Sequence, residues 1–340
     1  MKSIRRIIII ILLMAMQPGL DGAGWWRLYF TSPGNRGIVS NRTNPQTGLV
    51  SIINKAERYI YGAFYEVSSP RVVSALCAAR TRGVDVKIVT EQNTMRKRGR
   101  VMGQFERAGV DVVTDNRRGL MHNKFAVIDG RYLWTGSYNP TVNDSEKNNN
   151  NAILIYSSLL AGIYRNEFME MFEDRIFGNR REAGPFADLR NRYYVKIDDT
   201  GINVYFSPED NVERIILMRL AKAKSTIHFM AFSFTSDGIG EMMIKKFKQG
   251  VQVYGIFERR GANGGHSEYV KMKLEGLPVK LDRNRNAMHH KVIIIDGVRV
   301  ITGSYNFSRN AKNVNDENIL IIDNREIAAE YLEEFKRLYR

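Results

Sequence analysis

The chain has 340 residues, enough for about two domains. Its 44% hydrophobic and 26% charged residues exclude a wholly disordered polypeptide, and its single cysteine excludes an intramolecular disulfide or a cysteine-rich metal cluster. No apolar run reaches the ~18 residues of a confident membrane span, and a net charge of +15 favours polyanionic partners, nucleic acid or anionic lipid.

Read from the start, Lys2, Arg5 and Arg6 precede an apolar run from Ile7 to Met16, which Gln17, Pro18 and Gly19 break before the small residues Gly22, Ala23 and Gly24. That is the pattern of a secretory signal peptide over residues 1–23, predicting export to the periplasm or beyond. An uncleaved N-terminal membrane anchor is the alternative. Trp25 and Trp26 then either pack on the first strand or sit at a membrane interface. Cys77 lies among Val73, Leu76 and Ala79 in a helical pattern and reads as a core thiol.

The rest of the chain is one unit written twice. Met121-His122-Asn123-Lys124, running on to Asp129-Gly130, returns as Met288-His289-His290-Lys291, running on to Asp296-Gly297, at an offset of 167 residues. The same offset carries Gly136-Ser137-Tyr138-Asn139 onto Gly303-Ser304-Tyr305-Asn306. Tyr29-Phe30-Thr31-Ser32-Pro33 resembles Tyr205-Phe206-Ser207-Pro208 at an offset of 176, so the first copy has nine extra residues, expected in the polar stretch around Asn41 to Gly48. The first copy predicts a strand over 59–65, a helix with Pro70 at its start and Gly83 past its end, and a β-rich run over 85–89. A strand carrying His122, strands over 132–135 and 152–156, and a closing helix over 160–177 follow. The second copy repeats this as 226–232, 237–250, 252–257, a strand carrying His289, then 299–302, 319–322 and a helix over 326–338. The expected fold class is α/β: a duplicated α/β sandwich, each half a mixed β-sheet flanked by helices, related by a pseudo-twofold axis. A first domain over 24–185 and a second over 186–340 meet at the polar linker Gly178–Arg192.

On a strand, side chains two apart share a face, so His122 points with Lys124 and His289 with Lys291, while His290 faces the scaffold. Asp129 and Asp296 have the other parity and sit at strand ends, placed to orient other groups. A second strand delivers Ser137 and Asn139, or Ser304 and Asn306, just past a glycine that allows close backbone approach. Two imidazoles, two ammonium groups and two amides suit phosphoryl chemistry: one histidine attacks phosphorus, the other protonates the leaving oxygen, and the lysines and amides hold the oxygens. His228, in an apolar strand, reads as a core or near-core residue. The Gly261–Gly265 stretch before His266 reads as a mobile loop.

The pair of His-x-Lys-x4-Asp and Gly-Ser-x-Asn motifs, present twice in one register, resembles the phospholipase D superfamily over nearly the whole chain beyond the leader. The resemblance implies a phosphodiesterase working through a covalent phosphohistidine, followed by hydrolysis or alcohol exchange, with no cofactor and no required metal. It implies His122 as nucleophile and His289 as general acid. Lys124, Lys291, Asn139 and Asn306, with Ser137 and Ser304, would bind phosphate, and Asp129 and Asp296 would orient the imidazoles. The family's acid after Gly-Ser-x-Asn is matched by Glu317, a supporting residue, but by Asn150 in the first copy, so the two histidines should differ in pKa.

Arg96, Lys97, Arg98 and Arg100, Arg117 and Arg118, Arg259 and Arg260, and Arg283 and Arg285 are expected on loops beside the motifs, as a rim for a phosphate backbone. Three readings follow: a nuclease, which the rim favours; a phospholipase D acting on phospholipid head groups; and an inactive polyanion-binding protein. Two motifs in one chain make a monomer sufficient, with no obligatory protein partner.

Overall fold

The computed structural model describes residues 24–33, 44–178 and 193–340. The expected leader, residues 41–43 of the extra stretch in the first copy, nearly all of the linker and the 185/186 domain boundary lie outside the described residues. Among those residues, fifteen strands form two mixed sheets. The first contains β1 (Trp26–Phe30), β2 (Tyr59–Phe64), β3 (Asp85–Thr90), β4 (Asp111–Thr114), β5 (Lys124–Ile128), β6 (Tyr132–Gly136) and β7 (Asn151–Tyr156), in the order β1-β7-β6-β5-β2-β3-β4. The second contains β8 (Tyr193–Ile197), β9 (Thr200–Ser207), β10 (Thr226–Ala231), β11 (Gln252–Phe257), β12 (Val279–Leu281), β13 (Lys291–Ile295), β14 (Arg299–Gly303) and β15 (Glu317–Asp323), in the order β12-β11-β10-β13-β14-β15-β9-β8. In each sheet three strands run parallel and the others pair antiparallel, so β2-β3-β4 matches β10-β11-β12. The second sheet adds the edge strand β8.

Hydrophobic residues on both faces of each sheet explain the layering. The outer face of the first sheet packs under helix Pro70–Thr81 through Val72, Val73, Leu76 and Ala79. The outer face of the second packs under helix Asp237–Lys248 through Ile239, Met243 and Ile244. The inner faces share a single core with the helices Ser158–Phe172 and Arg325–Tyr339, to which Tyr164 and Phe168 and their repeat partners Tyr331 and Phe335 all belong. Trp25 and Trp26 pack against that core, which is the packing reading of the pair. Cys77 is partly buried and packs against the first outer core. No described helix is long and apolar enough to cross a membrane.

Several local expectations are corrected. The first closing helix stops at Phe172, short of 177. Pro45 to Gly48, the end of the polar stretch, opens helix Pro45–Asn54. In the basic run at 96–100, Arg96 ends helix Gln92–Arg96 and Arg100 lies in helix Gly99–Ala108, while Lys97 and Arg98 form the turn between them, and Arg98 is held by Glu66 at 2.7 Å. The glycine-rich stretch at 261–265 starts inside the short helix Arg259–Ala262.

The largest correction concerns Asp129 and Asp296. Both adopt left-handed backbone conformations, φ 54° and 55°, at turns where Asp is among the residues that tolerate them. Their carboxylates point back into their own half. Asp129 accepts from the backbone N–H groups of Glu57, Arg58 and Tyr59 at 2.8–3.3 Å, and Asp296 from those of Lys224, Ser225 and Thr226 at 2.7–3.1 Å. Each lies at the far end of its strand, on the order of 20 Å of extended chain from the histidine, so neither orients an imidazole. They clamp the chain entering β2 and β10. Asp129→Ala is expected to destabilise the fold by about 1–3 kcal/mol, because partly buried N–H groups lose a charged acceptor. Urea denaturation checks this, and an unchanged midpoint would contradict the clamp.

Candidate active site

The two histidines stand just before strands β5 and β13, rather than within them, where each chain leaves its own sheet and pairs with the other half. The backbone N–H of His122 donates to Asp316 O at 3.0 Å, and that of His289 donates to Asn149 O at 2.8 Å. Asp316 and Asn149 donate in return to Leu120 O and Ala287 O, at 2.9 and 2.8 Å. Two short parallel bridges, Met121 with Asp316 and Asn149 with Met288, thus cross between the halves. Arg117, expected on the rim, instead pairs with Asp316 and clasps the halves.

Crossing the boundary gives each imidazole a partner from the opposite repeat. His122 Nδ1 lies 2.8 Å from Glu317 Oε2, which also accepts from Ser304 Oγ at 2.7 Å. His289 Nδ1 lies 2.9 Å from Asn150 Oδ1, which accepts from Ser137 Oγ at 2.9 Å. Ser137 and Ser304 are fully buried and committed to these partners, so they position Asn150 and Glu317 and do not present hydroxyls to a phosphate. Gly136 and Gly303, at φ 145° and 149°, precede them because a Cβ there would collide with the backbone of Asn151 or Asn318. Tyr65 and Phe232 set ring edges against His122 and His289, with centroids 4.9 and 4.5 Å apart.

Lys124 Nζ donates to His122 O at 2.8 Å, and Lys291 Nζ donates to His289 O at 2.9 Å, so each ammonium is held beside its histidine. Asn139 is tied down by Asp144: its backbone N–H and Nδ2 donate to Asp144 Oδ2 at 2.9 and 2.7 Å. The Oδ1 atoms of Asn139 and Asn306 are buried and lack hydrogen-bond partners; being acceptors, they leave any bond to a phosphate oxygen to the Nδ2 donors. His290 faces the scaffold as expected, fully buried and bonded to Asn151 and Glu334 at 2.9 and 3.2 Å. His228 stacks on Tyr254 away from the site.

Sequence reasoning missed the frame behind these groups. Asn318 donates to Asn123 Oδ1 at 2.8 Å and accepts from Thr135 and Tyr164 at 2.8 and 3.2 Å. Its repeat partner Asn151 lies 2.9 Å from His290 Nδ1 and accepts from Thr302 and Tyr331 at 3.0 and 3.1 Å. Each Asn crosses to the other half. The shared offset of Asn151 with Asn318 and Tyr164 with Tyr331 is the signal that could have found them.

Burial governs the electrostatics. It lowers His122 to a pKa of about 4, with Glu317 opposing and Lys124 and Lys291 assisting. It lowers His289 well below the usual range, assisted by Lys291, Lys124 and His122. Burial also brings Lys124 down to about 8, against the pull of Glu317 and Asp144. Burial also holds Lys291 well below its usual range, and the Lys124 charge adds to this. Groups from both repeats therefore act on one another, which requires a common centre. Among the described residues no cluster of three His, Cys, Asp or Glu side chains is placed to hold a metal ion.

A cavity of about 850 Å³ opens at His289, with Phe232 and Phe257 in its walls and Arg260 at its edge. A second, of about 480 Å³, shares Lys147 and Asn286 with it and is lined by Arg283, Arg285, Arg337 and Arg340.

Fold and site together define a phosphodiesterase with two histidine-lysine motifs in one chain. The family described as "Cardiolipin synthase, PLD-like domain" matches residues 49–172 and again 216–339, and the chain belongs to this family, within the phospholipase D superfamily. A Rickettsia prowazekii (strain Madrid E) protein named phospholipase D is 26% identical over 187 residues, covering 54% of this chain and 91% of that protein. A Xenopus laevis protein named mitochondrial cardiolipin hydrolase is 34% identical over 119 residues, covering 35% of this chain and 57% of that protein. In fold, the chain is similar to the phosphatidylserine synthase of Haemophilus influenzae Rd KW20, with a TM-score of 0.69 at 13% identity, covering 91% of this chain and 85% of that one.

The lowered pKa of Lys124 carries a prediction for anion binding. Its ammonium is present below about pH 8 and is lost as the pH rises through that value. Tungstate, an inert phosphate mimic, should therefore bind about tenfold more weakly for each unit of pH above 8. Calorimetric titration across pH 7–10 checks this, and a flat profile would contradict it.

Proposed function

We propose that the protein cleaves phosphodiesters through a phosphohistidine formed on His122, and that its preferred substrate is nucleic acid. The observation that carries the mechanism is the reciprocal contact of His122 with Glu317 and His289 with Asn150. Both Nδ1 atoms are committed, so Nε2 is the nitrogen each ring offers to a phosphate.

The steps follow from that placement. His122 Nε2 forms a bond to phosphorus as the bond from phosphorus to the leaving oxygen breaks, and that oxygen takes a proton from the imidazolium of His289. Neutral His289 then removes a proton from water or an alcohol, whose oxygen attacks phosphorus while the phosphorus–nitrogen bond breaks. The bound diester's negative charge favours protonated His289 against the desolvation that lowers its pKa. Lys124 and Lys291 offset charge on the phosphoryl oxygens in a dry site, where such contacts are strongest. Glu317 favours His122 as nucleophile, because a carboxylate on Nδ1 stabilises the positive ring formed when Nε2 is phosphorylated. His289 Nδ1 has only uncharged acceptors, Asn150 Oδ1 and Ser137 O, in direct contact.

The basic second cavity supports a polyanionic substrate, since a phosphate chain leaving the His289 cavity passes Lys147 and meets the arginines. A second reading, hydrolysis of an anionic phospholipid, draws on the names of the relatives and on the phenylalanine walls of the first cavity. Purified protein given single- and double-stranded DNA, and separately phosphatidylcholine and cardiolipin vesicles, all with chelator, tests the choice. DNA cleavage that falls steeply with salt is the expected result. Head-group release without DNA cleavage would replace it with the lipid reading, and binding without turnover would leave the inactive one. His122→Ala and His289→Ala are each expected to abolish turnover, and Lys124→Ala to cost about 3 kcal/mol of transition-state stabilisation. Near-normal kcat in either histidine variant would overturn the shared site.

A further inference from the structure

The two halves differ in where they keep an acid. In the second half the acid is Glu317, in direct contact with His122, and the position matching Asp144 is Ala311. In the first half the contact position is Asn150, and the acid sits six residues earlier, as Asp144. Asp144 is 4% exposed, at the head of helix Val142–Glu146. Its Oδ2 lies 3.8 Å from His289 Nδ1, and three N–H groups hold the carboxylate there: two from Asn139, and the Asn148 amide at 2.6 Å on Oδ1. Asn150 Nδ2 donates to the backbone carbonyl of Asp144 at 3.3 Å, which ties the substituting amide to the displaced acid.

We propose that Asp144 is the positioning residue of the His289 side: its carboxylate supplies the negative charge that Asn150 cannot, while fixing the amide of Asn139 beside the phosphate. The inference rests on the two-histidine mechanism above. The groups around His289 make the need plain. Lys291 from its own strand, Lys124 and His122 from the first half, and the neighbouring His290 are cationic or become so, and all oppose its protonation. Asn150 Oδ1 and Ser137 O, its direct acceptors, carry no net charge. Among the described residues the carboxylate within 4 Å of the ring is that of Asp144. At 3.8 Å it acts through space and not through a hydrogen bond, and its three donors keep it from swinging away.

The test compares the full chain with Asp144→Asn, Asn150→Glu and the double variant. Two readouts apply: the pH dependence of kcat on bis(4-nitrophenyl) phosphate, and the His289 pKa from imidazole ¹⁵N shifts with tungstate bound. Asp144→Asn should lower the His289 pKa by about one unit and move the basic limb of kcat down with it. Adding Asn150→Glu should restore both, and Asn150→Glu alone should raise both. A purely structural Asp144 would instead lower kcat equally at every pH, with no movement of the His289 pKa and no rescue by Asn150→Glu, and that result overturns the proposal. If Asp144→Asn fails to fold, Asn150→Glu alone decides: an unmoved His289 pKa refutes the need for charge there. The imidazole shifts are read whether or not the protein turns over. An inactive His289→Ala together with an unmoved His289 pKa in Asp144→Asn therefore removes Asp144 alone and leaves the mechanism standing.

Discussion

The reciprocal backbone pairing at the boundary between the halves is the constraint on which the site depends. His122 N–H reaches Asp316 O, and His289 N–H reaches Asn149 O. Because each bridge runs one residue ahead of Glu317 or Asn150, the pairing that joins the halves also sets each imidazole against an acceptor from the other repeat. Neither half contains a complete site. The covered inner core and the crossed amides of Asn151 and Asn318 hold that register, and buried amides left half-satisfied would be costly.

Burial then supplies the chemistry. Two histidines, two lysines and two acids share a space from which water is largely excluded, so each charge is felt by the others and both lysines lose basicity. Such a centre suits an anionic substrate whose charge replaces what burial has removed. A phosphate would be the missing member of that cluster.

Duplication does not impose identical halves. The first half has a tyrosine against its histidine and the second a phenylalanine, and the acid beside the imidazole is Glu317 on one side and the displaced Asp144 on the other. The large cavity opens at His289 alone of the two histidines, so a substrate enters a site whose two ends are chemically distinct. A symmetric scaffold with asymmetric walls lets one imidazole bond phosphorus while the other moves protons.

The duplication, the α/β order, most strands, the outer helices and the identity of the histidines and lysines were legible in the residues, because a repeat at one offset and local periodicity are one-dimensional signals. So was the departure at Asn150, which shows as a broken match between copies. The roles of Asp129, Asp296, Ser137 and Ser304 were not: motif membership marks them, but only the paths of their side chains tell that they serve backbone and scaffold. Which half supplies each histidine's partner, and that Asp144 stands behind His289, depend on contacts between residues well over a hundred positions apart, or on the turn that folds a helix head back into the site. Local sequence carries no record of such meetings, since they arise only when two sheets pack against a common core and bring distant chain segments to one boundary.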